Sequence, residues 1–232
     1  LNTIFKVIWG IQVGKYNNTR DVVFGTVVAG RPFGIEGMES MVGLFINTVP
    51  VRIKFEEHTT FSQLLGQVQQ DALAGEQYQY YPLAEIQAKT PLKQDLINHI
   101  FAFENYPLEV QPLDISNVES FEQNNYDFTV IVIPGDPLIV KFAYNTGIYD
   151  RNYLKRMGNH FETVIRQILE NEESAIEDIE LLSPQEKERI LFEFNDTAAD
   201  YISDKPLHRL FEEQVNITPH RVAAIYHSHH LT

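Results

Sequence analysis

The chain has 232 residues, a formal net charge of -14 and no cysteine, with 44% hydrophobic and 22% charged residues. The acidic balance and the lack of any Lys/Arg cluster argue against a nucleic-acid partner or an anionic membrane surface, and the missing thiols exclude disulfides and cysteine metal sites. No apolar run approaches the ~18 residues of a membrane span, and no basic-then-apolar leader opens the chain, so the cytoplasm is the expected location.

From the N-terminus, Leu1, Ile4, Phe5, Ile8 and Ile11 share one stripe and predict a helix over 1–15. The β-branched run from Asp21 to Ala29 predicts a strand buried on both faces, bounded by Gly30-Arg31-Pro32. Residues 34–43 are less regular. Leu44 to Phe55 reads as extended, with Pro50 marking an edge or a bulge. Thr60 and Gln63 have capping-box spacing, and open a helix whose apolar stripe is Phe61, Leu64, Leu65, Val68 and Leu73. Gln77 to Pro82 ends it. His99 to Glu104 is a short strand, and 105–120 is loop-like. Tyr126–Ile133 and Leu138–Asn145 flank Pro134-Gly135-Asp136-Pro137, the pattern of a hairpin. Asp150 is placed to cap a helix that buries Leu154, Met157, Phe161, Val164, Ile165 and Ile168.

The composition shifts near Asn171 into an acidic stretch, Glu170 to Glu180. Ser183-Pro184-Gln185-Glu186 predicts a short helix. Residues 195–205 read as a linker, Pro206 to Val215 as a helix, and Val222 to Tyr226 as a strand. The expected fold class is therefore an α/β lobe with a mixed sheet, followed by a linker and the start of something else. No Gly-rich phosphate loop and no nucleophile elbow is present. His227, His229 and His230 read as a flexible polar chain end rather than a metal site, since no acidic or cysteine partner stands at ligand spacing. His99 opens an apolar strand and reads as a hydrogen-bonded structural histidine.

Several stretches, in order, carry a resemblance. Trp9-Gly10, Tyr16-Asn17-Asn18-Thr19 and Asp21 to Pro32 come first. Gly43-Leu44-Phe45-Ile46-Asn47-Thr48 with Arg52 fits the pattern GxFxNTxxxR. Gln79-Tyr80-Tyr81-Pro82-Leu83 fits HQxYPF, with Tyr78 where that pattern has His. His99 to Pro107 and Asn125-Tyr126-Asp127-Phe128 follow. Together they resemble the C-terminal half of a condensation domain of nonribosomal peptide synthetases, of the tyrocidine or gramicidin type, over 1–180. Leu181 to Lys187 and Phe194 to Thr197 resemble the linker after such a domain, 181–205. Leu207-His208, Leu210-Phe211, Thr218-Pro219 and Val222-Ala223 resemble the start of an adenylation domain, 206–232. Leu1 in place of Met and the end at Leu231-Thr232 fit the expectation of a piece of a longer polypeptide.

The resemblance implies a chloramphenicol-acetyltransferase-like fold and amide-bond formation between aminoacyl or peptidyl groups carried as thioesters. It implies as partners the N-terminal lobe, upstream and downstream carrier domains and the adenylation domain. The substrates ride on phosphopantetheine of separate carrier domains. This chain has no Gly-Gly-x-Ser stretch to bear that arm, so no cofactor of its own is expected. The family's HHxxxDG motif, whose second His positions or deprotonates the attacking amine, does not occur here, so no catalytic residue is expected in this chain and the isolated chain is expected to be inactive. Asn47 and Arg52 are the expected tunnel-lining residues. The Asn47 amide either donates toward the reacting oxygen or amine, or satisfies backbone groups. Arg52 either pairs with a carboxylate across the lobes or is a surface charge. Tyr80, Tyr81 and Pro82 are expected to pack the lobe. A non-catalytic docking platform and an epimerisation-type member of the same fold are the competing readings; the adenylation-like residues 181–223 speak against the second.

Overall fold

The computed structural model describes residues 1–31, 35–105, 125–200 and 204–232. They divide into two compact units, residues 1–185 and 186–232. The expected loop over 105–120 lies, beyond Asn105, outside the described residues. So do Pro32, Gly34, Tyr106, Pro107 and residues 201–203 of the stretches singled out above.

The first unit runs α1 (Asn2–Tyr16), β1 (Asp21–Val28), β2 (Asn47–Lys54), α2 (Phe61–Gly75), α3 (Leu83–Ala88), β3 (Ile100–Phe103), β4 (Phe128–Ile133), β5 (Ile139–Tyr144) and α4 (Arg151–Glu170), then enters α5 (Pro184–Glu188). The five strands make one mixed sheet in the order β2-β1-β3-β4-β5. β1–β2 and β4–β5 are antiparallel; β3 runs parallel to β1 and to β4. Pro50 sits on β2, the edge strand, where a missing backbone N–H is tolerated.

Strand alternation sends Val22, Phe24 and Thr26 to one face, together with Ile53, Phe101, Phe128, Val130 and Val132, and all eight are buried. α1 lies against β1 and β2, flanked by α2 and α4. The approach is close: a Cβ on Gly10 would stand 2.5 Å from Cγ1 of Ile53. Trp9, the single tryptophan, is the centre of the core. Its ring lies 5.7 Å from that of Phe128 and 6.4 Å from those of Phe142 and Phe161. The helix starts follow the sequence. Thr60 and Gln63 form a reciprocal capping box on α2, and Asp150 accepts from the backbone N–H groups of Asn152 and Tyr153 on α4.

Residues 171–180 form a strap rather than a boundary. Ile176 and Ile179 are buried, at 1% and 2% exposure. The strap bonds to the start of α2, through Phe61 N to Ser174 O at 3.1 Å and Ile176 N to Thr59 O at 2.9 Å. Gln167 of α4 clamps its far end in both directions, to Glu180 O at 2.7 Å and from Glu180 N at 3.0 Å. The acidic residues that made the segment look like a break are all exposed, and two of them, Glu177 and Asp178, stand between the two buried isoleucines.

Other expectations change in detail. Leu44 to Ile46 precede β2 and are not strand. Leu73, placed on the buried stripe of α2, is 61% exposed, because it lies in the last turn, beyond the core residues Phe61, Leu64 and Val68. α3 was not expected; at six residues it is too short to show a period. In the second unit, a π-helical turn Arg189–Glu193 and α6 (Leu207–Ile217) precede a hairpin of β6 (Ala224–Tyr226) and β7 (His229–Leu231). His229 and His230, expected in a flexible tail, are thus strand residues. His227 supplies the left-handed turn conformation, at φ 54°, that closes the two strands.

Candidate functional site

Asn47 opens β2 opposite Val28. Its Nδ2 donates to Gln79 O at 2.8 Å and to Tyr81 O at 2.9 Å. A primary amide has two N–H groups, and both are spent on these backbone carbonyls. Of the two readings of Asn47, the geometry is that of a backbone clamp, not of a donor held free for a reacting oxygen. The clamp joins two motifs 32 residues apart: the Asn-Thr of β2 and the Gln-Tyr-Tyr-Pro turn. The turn is braced from its other side, where Lys89 Nζ donates to the Tyr81 hydroxyl at 2.8 Å. Tyr80 is 58% exposed and so does not pack the lobe as expected; Tyr81 is half-buried.

Arg52 lies further along β2 and grips Asp21 of β1 in a two-pronged pair. Nε donates to Oδ1 at 2.8 Å and Nη2 to Oδ2 at 2.6 Å. The hydrogen bond from Arg52 is the main cause that holds the Asp21 carboxyl below its ordinary value. Its carboxylate partner is within this lobe, on the neighbouring strand. Asn47 and Arg52 occupy opposite ends of β2 and project from opposite faces of the sheet, since their positions differ by an odd number of residues. The structure does not bring them together.

The histidines of the first unit are all engaged. Trp9 Nε1 donates to His99 Nε2 at 2.9 Å. An indole N–H only donates, so His99 Nε2 carries no proton; Nδ1 does, and it faces Asn98 Oδ1 at 2.6 Å. Burial pushes this imidazole down to about 4. His160 Nδ1 is 2.6 Å from the Tyr16 hydroxyl, and Gln12 Nε2 reaches both that hydroxyl, at 3.1 Å, and Met157 O, at 2.9 Å. His58 Nδ1 meets Glu177 Oε1 at 2.5 Å. His99 and His160 are tied into the core, whereas His58 is exposed beside the strap 171–180. Two open surface depressions, one of about 500 Å³ lined by Leu1, Asn2, Phe103, Asn105 and Pro134 and one of about 550 Å³ lined by Tyr144 and residues 146–151, include neither Asn47 nor Arg52.

Two features escaped the sequence. Gln12 stands on the Ile8–Tyr16 side of α1, and a polar residue on an apolar stripe was the available signal of a buried network. Arg31 gave only the signal of its position after a glycine. Its guanidinium donates to the carbonyls of Met38 and Met41, the latter at 3.1 Å, and lies 4.3 Å from the centre of the Phe45 ring.

Comparison with known proteins extends this geometry. A family model described as "Condensation domain" matches residues 1–191. A plipastatin synthase of Bacillus subtilis (strain 168) is 45% identical over 235 residues, which are 96% of this chain and 9% of that protein. Gramicidin S synthase 2 of Brevibacillus brevis is 43% identical over 242 residues, all of this chain and 5% of that protein. The chain therefore spans only a small part of the length of the curated relatives it matches. Among solved structures, the starter condensation domain of rhizomide synthetase superposes with a TM-score of 0.66 at 22% identity, over 79% of this chain and 45% of that one. A holo four-domain nonribosomal peptide synthetase bound to AMP and glycine gives 0.73 at 18% identity, over 99% of this chain and 19% of that one. The shared fold and the match over residues 1–191 lead to one conclusion: the chain belongs to the condensation-domain family.

Proposed function

We propose that this chain is the C-terminal lobe of a condensation domain in a nonribosomal peptide synthetase that makes a peptide antibiotic, running through a linker at 181–205 into the first residues of an adenylation domain at 206–232. Its reaction is amide formation between carrier-bound thioesters. The acceptor amine attacks the donor carbonyl, the C–N bond forms as the C–S bond breaks, and the phosphopantetheine thiol of the donor carrier leaves. The observation that carries the reading is the Asn47 clamp, which joins the two family motifs into one wall. The half-domain reading is supported by the 45% of a solved condensation domain that the chain matches.

In this reading the lobe positions and does not titrate. Asn47 holds the Gln79–Tyr81 turn, and the Arg52–Asp21 pair ties β2 to β1. The base is assigned to the preceding lobe, where the resemblance places the HHxxxDG motif; His99 and His160 of this lobe are tied to Trp9 and Tyr16. Half a tunnel also forfeits the proximity of two tethered substrates. The neighbouring carrier domains and adenylation domain are the partners, and the cytoplasm is the location.

The test mixes the purified chain with donor- and acceptor-loaded carrier domains and follows dipeptidyl thioester by mass spectrometry. We expect none above the protein-free control, and product once the preceding lobe with its HHxxxDG motif is supplied. Product from this chain alone would overturn the division of labour. No product even with an intact preceding lobe would favour the non-catalytic platform.

A further inference from the structure

The connection from β1 to β2 exposes an unusual amount of apolar side chain. Met41, Val42, Leu44 and Ile46 are 47%, 103%, 90% and 59% exposed. These four side chains gain little from burial, so much of the entropy of ordering the loop must be offset in some other way. The offset is visible at its base. Gly30 takes φ +63°, and a Cβ there would fall 1.9 Å from the Phe45 carbonyl oxygen, so only glycine lets the two arms of the connection approach. Arg31 follows and fills the space between the arms. It donates to the carbonyls of Met38, which opens the short turn Met38–Ser40, and of Met41, which follows it, and its guanidinium carbon lies 4.3 Å from the centre of the Phe45 ring. One more residue along the chain from Ile46 is Asn47.

From this geometry we propose that Arg31 is a positioning residue for condensation. Its guanidinium folds Ile35–Ile46 into a preformed apolar ridge and fixes the start of β2, and so the Asn47 clamp on the Gln79–Tyr81 turn. The inference rests on the condensation reading above. Arg31 touches no reacting atom; it acts through the loop and Asn47.

The experiment uses the complete two-lobed condensation domain with loaded carrier domains, as wild type, Arg31→Ala and Arg31→Lys. Hydrogen exchange of the Met38–Ile46 amides, melting temperature and the single-turnover rate of dipeptidyl thioester formation are measured together. Arg31→Ala should speed exchange in that loop about tenfold, since only local order is lost. Melting should move by no more than about 2 °C, because the loop contributes no core residue. The single-turnover rate at saturating carrier should drop about tenfold or more, with little change in KM, as expected of a misplaced wall. Added methylguanidinium should restore part of the rate in Arg31→Ala. Arg31→Lys should fall in between, because an ammonium cannot make the forked contact. Unchanged exchange in the loop would overturn the clamp; a loosened loop with an unchanged rate would overturn the positioning role. A wild-type domain that makes no product would instead bring down the condensation reading, and the exchange arm would still decide whether Arg31 orders the loop.

Discussion

The imidazole of His99 is held neutral by its surroundings, and this has a measurable cost in acid. Its Nε2 accepts from Trp9, and its ring lies between those of Phe24 and Phe128, 5.8 and 6.2 Å away. Protonation would place a second N–H against the indole donor inside an aromatic cluster. The folded value of about 4 lies below the ordinary 6.5. Between these two the unfolded chain binds more protons than the folded one. The contribution is therefore present above pH 6.5 and lost as pH falls toward 4. Across the whole window the loss is on the order of 2–3 kcal/mol. His99→Gln keeps an acceptor for Trp9 and does not titrate, so its unfolding free energy should fall less than that of wild type between pH 7 and 4.5 in urea titrations. Equal losses in the two proteins would show that His99 is not the group responsible.

Among the elements, β2 does more than pair with β1. Through Asn47 it fixes the turn between α2 and α3, and that turn carries no buried side chain of its own. Removing the amide should leave the sheet intact and free the turn. In the two-lobed domain, Asn47→Ala should lower the single-turnover rate by about tenfold to a hundredfold, with a small change in melting temperature. A sharp fall in melting temperature with a proportionate loss of activity would make Asn47 a packing residue alone. Sequence foretold elements of this kind unevenly. The amphipathic helices α2 and α4 and the β4–β5 hairpin were legible because period, caps and turn residues agree there, whereas α1, buried around most of its circumference and without a side-chain cap, showed itself by its apolar residues alone. The strap 171–180 was not, because its two buried residues, Ile176 and Ile179, stand among acidic neighbours and belong to no long periodic run. The Asn47 clamp was legible only as a residue of interest. Its partners are backbone carbonyls, which every residue has, so no side-chain pattern announces them. The Arg52–Asp21 pair needed the β1–β2 register before it could be seen.

For the whole molecule, the buried apolar residues run from Phe5 to Ile179, and none of the described residues after Ile179 is buried. A chain ending at Gln185 should therefore melt within about 2 °C of the full 232 residues, since no buried position among the described residues is removed. A large drop would show that the second unit supports the first. Circular dichroism melts of the two proteins decide it.

The four residues of β3 carry a consequence for how this fold is reached. Ile100–Phe103 pair with β1 on one side and β4 on the other, joining two antiparallel pairs into a single sheet. Each of those pairs can close locally, whereas Thr26 must find Phe101 across a long stretch of chain. Assembly is thus expected to wait on this non-local step rather than on either hairpin. During synthesis, β1 and β2 leave the ribosome well before β3 does. Until it arrives, the inner edge of β1 is an unpaired strand rich in valine, the kind of edge on which nascent chains aggregate and which a chaperone would be needed to shield.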